Sequence, residues 1–248
     1  MLNKHNLAIA ALATCEKSRY TLSGIQITPT ETVVTDGHCL VRVSTPSADA
    51  ANFPTTENFT PSDNFAPFLL AADAAKQIER AIPKRTIIPV LAHAAIDGAN
   101  TNAGDVAMVM VTDLENHQIF SPRKQEGKFP DYKGYIPKAA DATFVIHFDG
   151  VLLAKVLDMA GKFSSHPGNV ITLRFTAPDS AVRIDAYNGT TDQLMQAVVM
   201  PCGAYGEDSP DAEDPDVSWE LHAQRASTPA AQEGTNSVTD EGAEPSAE

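Results

Sequence analysis

The sequence predicts an α+β protein built from three strand–helix–three-strand units, with the helices on one face of antiparallel sheets. Three observations carry this expectation. Short runs rich in β-branched residues alternate apolar and polar positions after each of three helical stretches. Pro, Gly, Asp and Asn punctuate the runs where turns are needed. The same order of elements recurs about every 60 residues, the mark of an internal repeat.

In the first unit a helix is predicted over 4–17, with Ala8, Ala11, Leu12 and Cys15 on one face. The same stretch, Lys4 followed by apolar 7–15, loosely imitates a bacterial lipoprotein signal. Its short, Ala-rich run and Thr14 before Cys15 favour an amphipathic helix instead. Strands follow at 20–28, 31–35 and 38–44, separated by Thr28-Pro29-Thr30 and Asp36-Gly37. This unit has no obvious opening strand, and 45–63 reads as a loop.

The second unit opens with a strand at 67–71 and a helix at 74–82, capped by Asp73 and stopped by Pro83. Its strands are placed at 86–95, 106–112 and 117–121, with Asp97-Gly98-Ala99-Asn100 as a loop. The third has a strand at 142–148, an Asp149 cap, a helix at 151–162 and strands at 170–177, 181–188 and 193–200. The domain plan is therefore 1–121 with two units, a linker at 122–138, a half-domain at 139–202 and a tail at 203–248. One unit cannot cover its own sheet, so it must pack against a copy.

The chain has 248 residues and a formal charge of −14, located unevenly. From Gly203 onward there are twelve acidic residues and one basic residue, Arg225, so the body before it is nearly balanced. Low hydrophobicity and high charge predict disorder for the tail, where Val217-Ser218-Trp219-Glu220-Leu221 is the one apolar stretch. Cys15, Cys39 and Cys202 are widely spaced thiols suited to a reducing cytoplasm. No apolar run is long enough for a membrane span.

Enzyme classes find little support. His5, His38, His93, His117, His147, His166 and His222 show no metal-binding spacing, and no Gly-rich loop suits a phosphate. The reading assigns no catalytic residue, no metal and no cofactor.

The informative segments are Thr35-Asp36-Gly37-His38-Cys39-Leu40, Gly127-Lys128-Phe129-Pro130-Asp131-Tyr132 continuing to Pro137, and Val198-Val199-Met200-Pro201-Cys202. Together with Leu22 and the repeated unit, they resemble the peptide-binding region of the bacterial DNA polymerase III beta sliding clamp. The resemblance covers most of 1–202 and matches the family's middle domain plus the second half of its last domain. It implies the DNA-clamp fold. The family's groove has arginines where this chain has Cys39 and Gly134, and the last segment ends Met-Pro-Cys. Those departures bear on which peptides would fit.

What the resemblance implies is a docking protein. Leu22, Leu40, Pro130, Tyr135, Val198, Met200 and Pro201 would form the apolar walls of a peptide-binding groove. Thr35, Gly37 and His38 would supply turn geometry and hydrogen bonds. Helices of clamps face duplex phosphates, and Lys76, Arg80 and Lys84 recur every four residues with Arg85 beside them. Lys155 and Lys162 share a face of the third helix, and Lys4 and Lys17 bracket the first. Asp73 and Glu79 dilute the pattern. Such contacts would hold double-stranded DNA without sequence preference.

A clamp ring closes with about twelve such units, so three per chain imply a homotetramer, with a trimer of altered curvature as the alternative. The expected function is a cytoplasmic processivity factor that tethers polymerase or repair proteins to DNA. Its reduced size suggests a mobile genetic element as its source. The rival is a non-encircling adaptor or decoy that binds the same peptides. For the tail, three roles stay open: solubilising segment, electrostatic gate, or competitor for the groove through Trp219.

Overall fold

The computed structural model describes residues 1–14, 21–46, 50–84, 86, 88–202 and 219–220. Cys15 and Lys17, with the end of the predicted first helix, lie outside the described residues, as do Arg85 and most of the acidic tail. The chain divides into two compact units, Met1–Asp131 with Trp219–Glu248, and Tyr132–Ser218.

In the first unit two repeats trade their opening strands. Strand β1 (Leu2–Asn3) leads into helix α1 (Lys4–Ala8), a 3-10 turn over Ile9–Leu12, and strands β2 (Gly24–Ile27), β3 (Glu31–Thr35) and β4 (Leu40–Ser44). The second repeat comprises β5 (Phe68–Ala71), α2 (Ala72–Ala81), β6 (His93–Ile96), α3 (Gly98–Ala103), β7 (Val109–Thr112) and β8 (His117–Phe120), followed by β9 (Lys124–Gln125). One antiparallel sheet has the order β4-β3-β2-β5-β9 and the other β1-β6-β7-β8. Thus β5 pairs with β2, Ile25 opposite Leu70, while β1 pairs with β6, Leu2 opposite Ala94. Each opening strand completes the other repeat's sheet.

The core of this unit joins both sheets to helices α1 and α2: Leu2, Leu7, Ile25, Ile27, Leu70, Ile78, Ile82 and Ile96 are all but inaccessible. Burying such side chains stabilises by roughly 1.5–3 kcal/mol each. Helix α2 buries Ala75 and Ile78 and ends before Pro83. Asp73 does not cap it: β5 runs straight into the helix through Ala71, leaving Asp73 in the first turn, where a negative charge suits the helix dipole.

The first helix is shorter than expected and turned differently. Its buried positions are Asn6, Leu7 and Ala10, while Ala8, Ala11 and Leu12 are exposed. Leu7 offers more apolar area than the small Ala face, and Asn6 fixes the orientation by polar contacts. Asn3 and Asn6 cap each other reciprocally, and Asn6 Nδ2 donates to Thr32 Oγ1 at 3.2 Å and to Ser44 O at 3.0 Å.

The predicted strand at 86–95 shortens to β6, since a 3-10 turn over Pro89–Ala92 takes its first part. The predicted loop at 97–100 is instead the start of α3, because Asp97 accepts a hydrogen bond from Asn100 N and caps it.

In the second unit α4 (Gly150–Phe163) packs on a sheet of order β10-β11-β12, formed by Thr172–Arg174, Val182–Asn188 and Gln193–Val199. Asp149 Oδ1 accepts from Val151 N and Leu152 N, so the predicted cap forms. Leu153, Val156, Leu157 and Ala160 meet Val182, Ile184, Ala186 and Val199. Residues 142–148 have a strand pattern but form no strand here. A β pattern needs an edge to pair with, and among the described residues no second repeat's sheet stands beside them in this unit.

Candidate functional site

The turn between β3 and β4 brings four of the sequence-derived site residues together. Thr35 and Leu40 are directly opposite each other at its base. Thr35 Oγ1 donates to Cys39 O at 2.6 Å and accepts from Gly37 N at 3.1 Å. Asp36 Oδ1 accepts from both His38 N and Cys39 N at 2.8 Å. Gly37 has φ of 93°, a left-handed conformation that a side chain would strain. These local bonds close the turn and leave the His38 side chain exposed.

The turn's electrostatics follow from its donors. The Cys39 and His38 amides, then the Cys39 thiol, hold the Asp36 carboxyl down at about 2. Desolvation, followed by the hydrogen bond and charge of Asp36, pushes the Cys39 thiol up. A thiol so placed is a poor nucleophile and a modest apolar contact.

Leu22 is nearly buried in the same unit, and its carbonyl accepts from Thr14 N at 3.0 Å. Pro130 is exposed between the buried Phe129 and Asp131, so Phe129 anchors the segment and Pro130 stays available. The remaining residues belong to the second unit. Tyr135 is 85% exposed in a short 3-10 turn, while Val198 and Met200 are 63% and 68% exposed at the end of β12. Pro201 follows, half-buried. The second unit therefore presents large apolar side chains to solvent from the sequence-derived set, whereas in the first Leu22 is buried, Leu40 half-buried and only Pro130 exposed.

The basic residues divide by helix. Lys76 is half-buried and Arg80 exposed on α2, opposite its buried Ala75 and Ile78, and Lys84 is exposed just beyond. Arg85 lies outside the described residues. On α4, Lys155 and Lys162 are exposed, but Lys162 Nζ is bound to Asp158 at 2.6 Å. Val151, Leu152 and Met159 lie exposed around that same face. The cationic face of α4 is thus also an apolar one.

Arg42 is absent from the sequence-derived set. Leu40 and Arg42 alternate with Val41, which packs against the core, so both point away from the helices. Glu31 lies on that outer face too, 4.0 Å from the Arg42 guanidinium. The signal available in the sequence is an arginine at the period of Leu40 on a short β-branched strand.

Among the described residues no group of His, Cys, Asp and Glu could hold a metal ion. No described helix is long and apolar enough to cross a membrane.

No family model matches the sequence. No curated protein matches it either. Solved structures do. The beta sliding clamp of C. crescentus superposes with a TM-score of 0.52 at 15% identity, over 81% of this chain and 50% of that one. DNA polymerase III subunit beta from Borrelia burgdorferi superposes with a TM-score of 0.55 at 15% identity, over 81% of this chain and 47% of that one. The chain has the fold of bacterial beta sliding clamps and spans about half their length.

Proposed function

We propose that this chain is a shortened sliding clamp, which encircles duplex DNA as a homo-oligomeric ring and tethers polymerase or repair proteins. The observation that carries the reading is the clamp fold itself, matched over 81% of the chain despite 15% identity. In this reading 1–121 is a complete clamp-like domain, 122–138 a linker, 139–202 a half-domain and 203–248 an acidic tail. A ring of four chains is favoured over three.

Peptide-binding residues are proposed for each unit separately. In the first, Leu40 and Pro130 offer apolar contact around a turn ordered by Thr35, Gly37 and His38, and the buried Leu22 would join them only where a peptide displaces its cover. In the second, Tyr135, Val198, Met200 and Pro201 offer it. Methionine adapts its shape to varied side chains, which suits a surface serving several partners. Lys76, Arg80, Lys84 and Arg85, with Lys155 and Lys162, are assigned to DNA phosphates; such contacts are non-specific, mobile and salt-sensitive. No catalytic role is assigned.

The test is topological. The protein is loaded on nicked circular DNA and passed over a sizing column, before and after the circle is linearised. Co-elution with the circle and loss from the linear form is the expected result. Equal behaviour on both forms, with peptide binding by a monomer, would identify a non-encircling adaptor and overturn the ring.

A further inference from the structure

The first unit shows how this fold closes, and among the described residues the second unit lacks what closes it. Strand β5 is held on one side by β9, which follows its own repeat, and on the other by β2 of the other repeat. Residues 142–148 are held on the first side only: Cys202 N, which follows β12, donates to His147 O at 2.9 Å. Among the described residues no strand lies on the other side.

The strand that receives an opening strand is in both repeats the first of the sheet after the helix, β2 or β6. Its counterpart in the second unit is β10, an outer strand of its sheet.

Exposure follows the same correspondence. In the first unit the exchanged elements are sealed: Leu2, Ile25, Ile27 and Leu70 are fully buried. In the second unit the counterparts are open. Phe144 and Val145 on the unpaired segment are 49% and 63% exposed, and Leu173 and Phe175 on and beside β10 are 37% and 45% exposed. The rings of Phe144 and Phe175 lie 6.3 Å apart, so segment and edge form one apolar patch. An unpaired edge flanked by apolar side chains is a template for another strand.

We propose that two copies of the chain complete each other's second unit by reciprocal strand exchange: residues 142–148 of each copy pair antiparallel with β10 of the other. The occupant is a second copy because the missing complement, as the first unit shows, is the same repeat. The patch contains both donor and acceptor, so the joint is two-fold and self-complementary. It rests on the clamp reading only in assigning one joint of the proposed ring, and even-numbered assemblies follow from it.

The experiment is native mass spectrometry of the full chain at micromolar concentration, for the wild type and Phe144→Pro. His147 O faces Cys202, so residue 144, an odd number of positions away, points its N–H to the opposite edge of the segment. Proline there removes a ladder donor toward the other copy, and at a half-exposed position it leaves the isolated unit folded, which circular dichroism checks. An even-numbered particle whose mass is halved by F144P is expected. A monomer, an odd-numbered particle, or a mass unchanged by F144P would overturn the proposal. Hydrogen exchange on the wild type gives a second reading. Amides in 142–148 and 172–174 should slow as concentration rises, and concentration-independent fast exchange there would also overturn it. The two readings separate cleanly. A strand-exchanged particle that leaves circular and linear DNA alike defeats the ring and keeps the joint. Retention on circles with mass unaffected by F144P does the reverse.

Discussion

The guanidinium carbon of Arg42 lies 3.9 Å from the centroid of the Trp219 ring, joining the outer face of β4 to the apolar stretch of the acidic tail. A cation over an indole face contributes about 0.5–2 kcal/mol, depending on how far water is excluded. Glu31, buried beside Arg42, keeps the guanidinium on that face. Because Trp219 is the single tryptophan, its emission reports this pairing alone. Arg42→Ala should shift the emission to the red. Arg42→Lys, which keeps charge but not the planar stack, should fall between. Identical spectra for all three would mean that the stack does not persist in solution.

Asn6 is a fully buried polar residue in the first unit. Its side chain serves Thr32, Val43 and Ser44 and accepts from Asn3 N. Asn6→Ala would leave buried polar partners unserved, and stability in a urea melt should fall by about 2–3 kcal/mol. Asn6→Leu should do no better, since carbonyls and not carbons surround the site.

A methyl group at Gly24 would meet the Leu70 carbonyl oxygen and the Gln125 side chain. The glutamine can turn aside, but the carbonyl belongs to the β2–β5 ladder. Gly24→Ala should therefore cost about 1–3 kcal/mol by equilibrium unfolding. It should also raise hydrogen exchange in β5.

Acid should loosen the β3–β4 turn before it unfolds the sheet. The folded Asp36 carboxyl is held at about 2, below its ordinary 3.8. A depressed carboxylate contributes order that is complete above 3.8 and is lost as pH falls through about 2. The amide resonances of His38 and Cys39 should titrate with a midpoint near 2. Asp36→Asn keeps an oxygen acceptor and removes the titration; a turn that titrates unchanged in that variant would assign the effect elsewhere.

Charge reversal at Lys76 and Arg80 tests the duplex-facing assignment. Every phosphate that goes unneutralised should reduce the slope of log affinity against log salt by about 0.9. Reversal of Lys162, already paired with Asp158, should have less effect. Equal slopes in wild type and the Lys76/Arg80 double variant would remove α2 from the DNA surface.

Local chemistry was legible in the sequence, and partnership was not. Strand β3 was readable to both ends, since Pro29 and Asp36-Gly37 bound a β-branched run. The turn of the candidate site was readable for the same reason: its hydrogen bonds span two to four residues. Helix α3 was hidden because Gly98-Ala-Asn-Thr-Asn has little helix propensity and depends on its Asp97 cap. The opening strand β1 is only two residues long and exists because β6 receives it. Residues 142–148 show the converse, a correct alternation with no edge to join. Arg42 and Trp219 were out of reach because no spacing rule links residues so distant in the chain.

The trade of strands inside the first unit has a consequence for how that unit can come apart. Neither repeat keeps a whole sheet once the other has melted, so the two should denature in a single cooperative step. A protease nick in the loop that connects them would produce two fragments, each gripping a ribbon of its neighbour, and these should co-purify until a denaturant parts them.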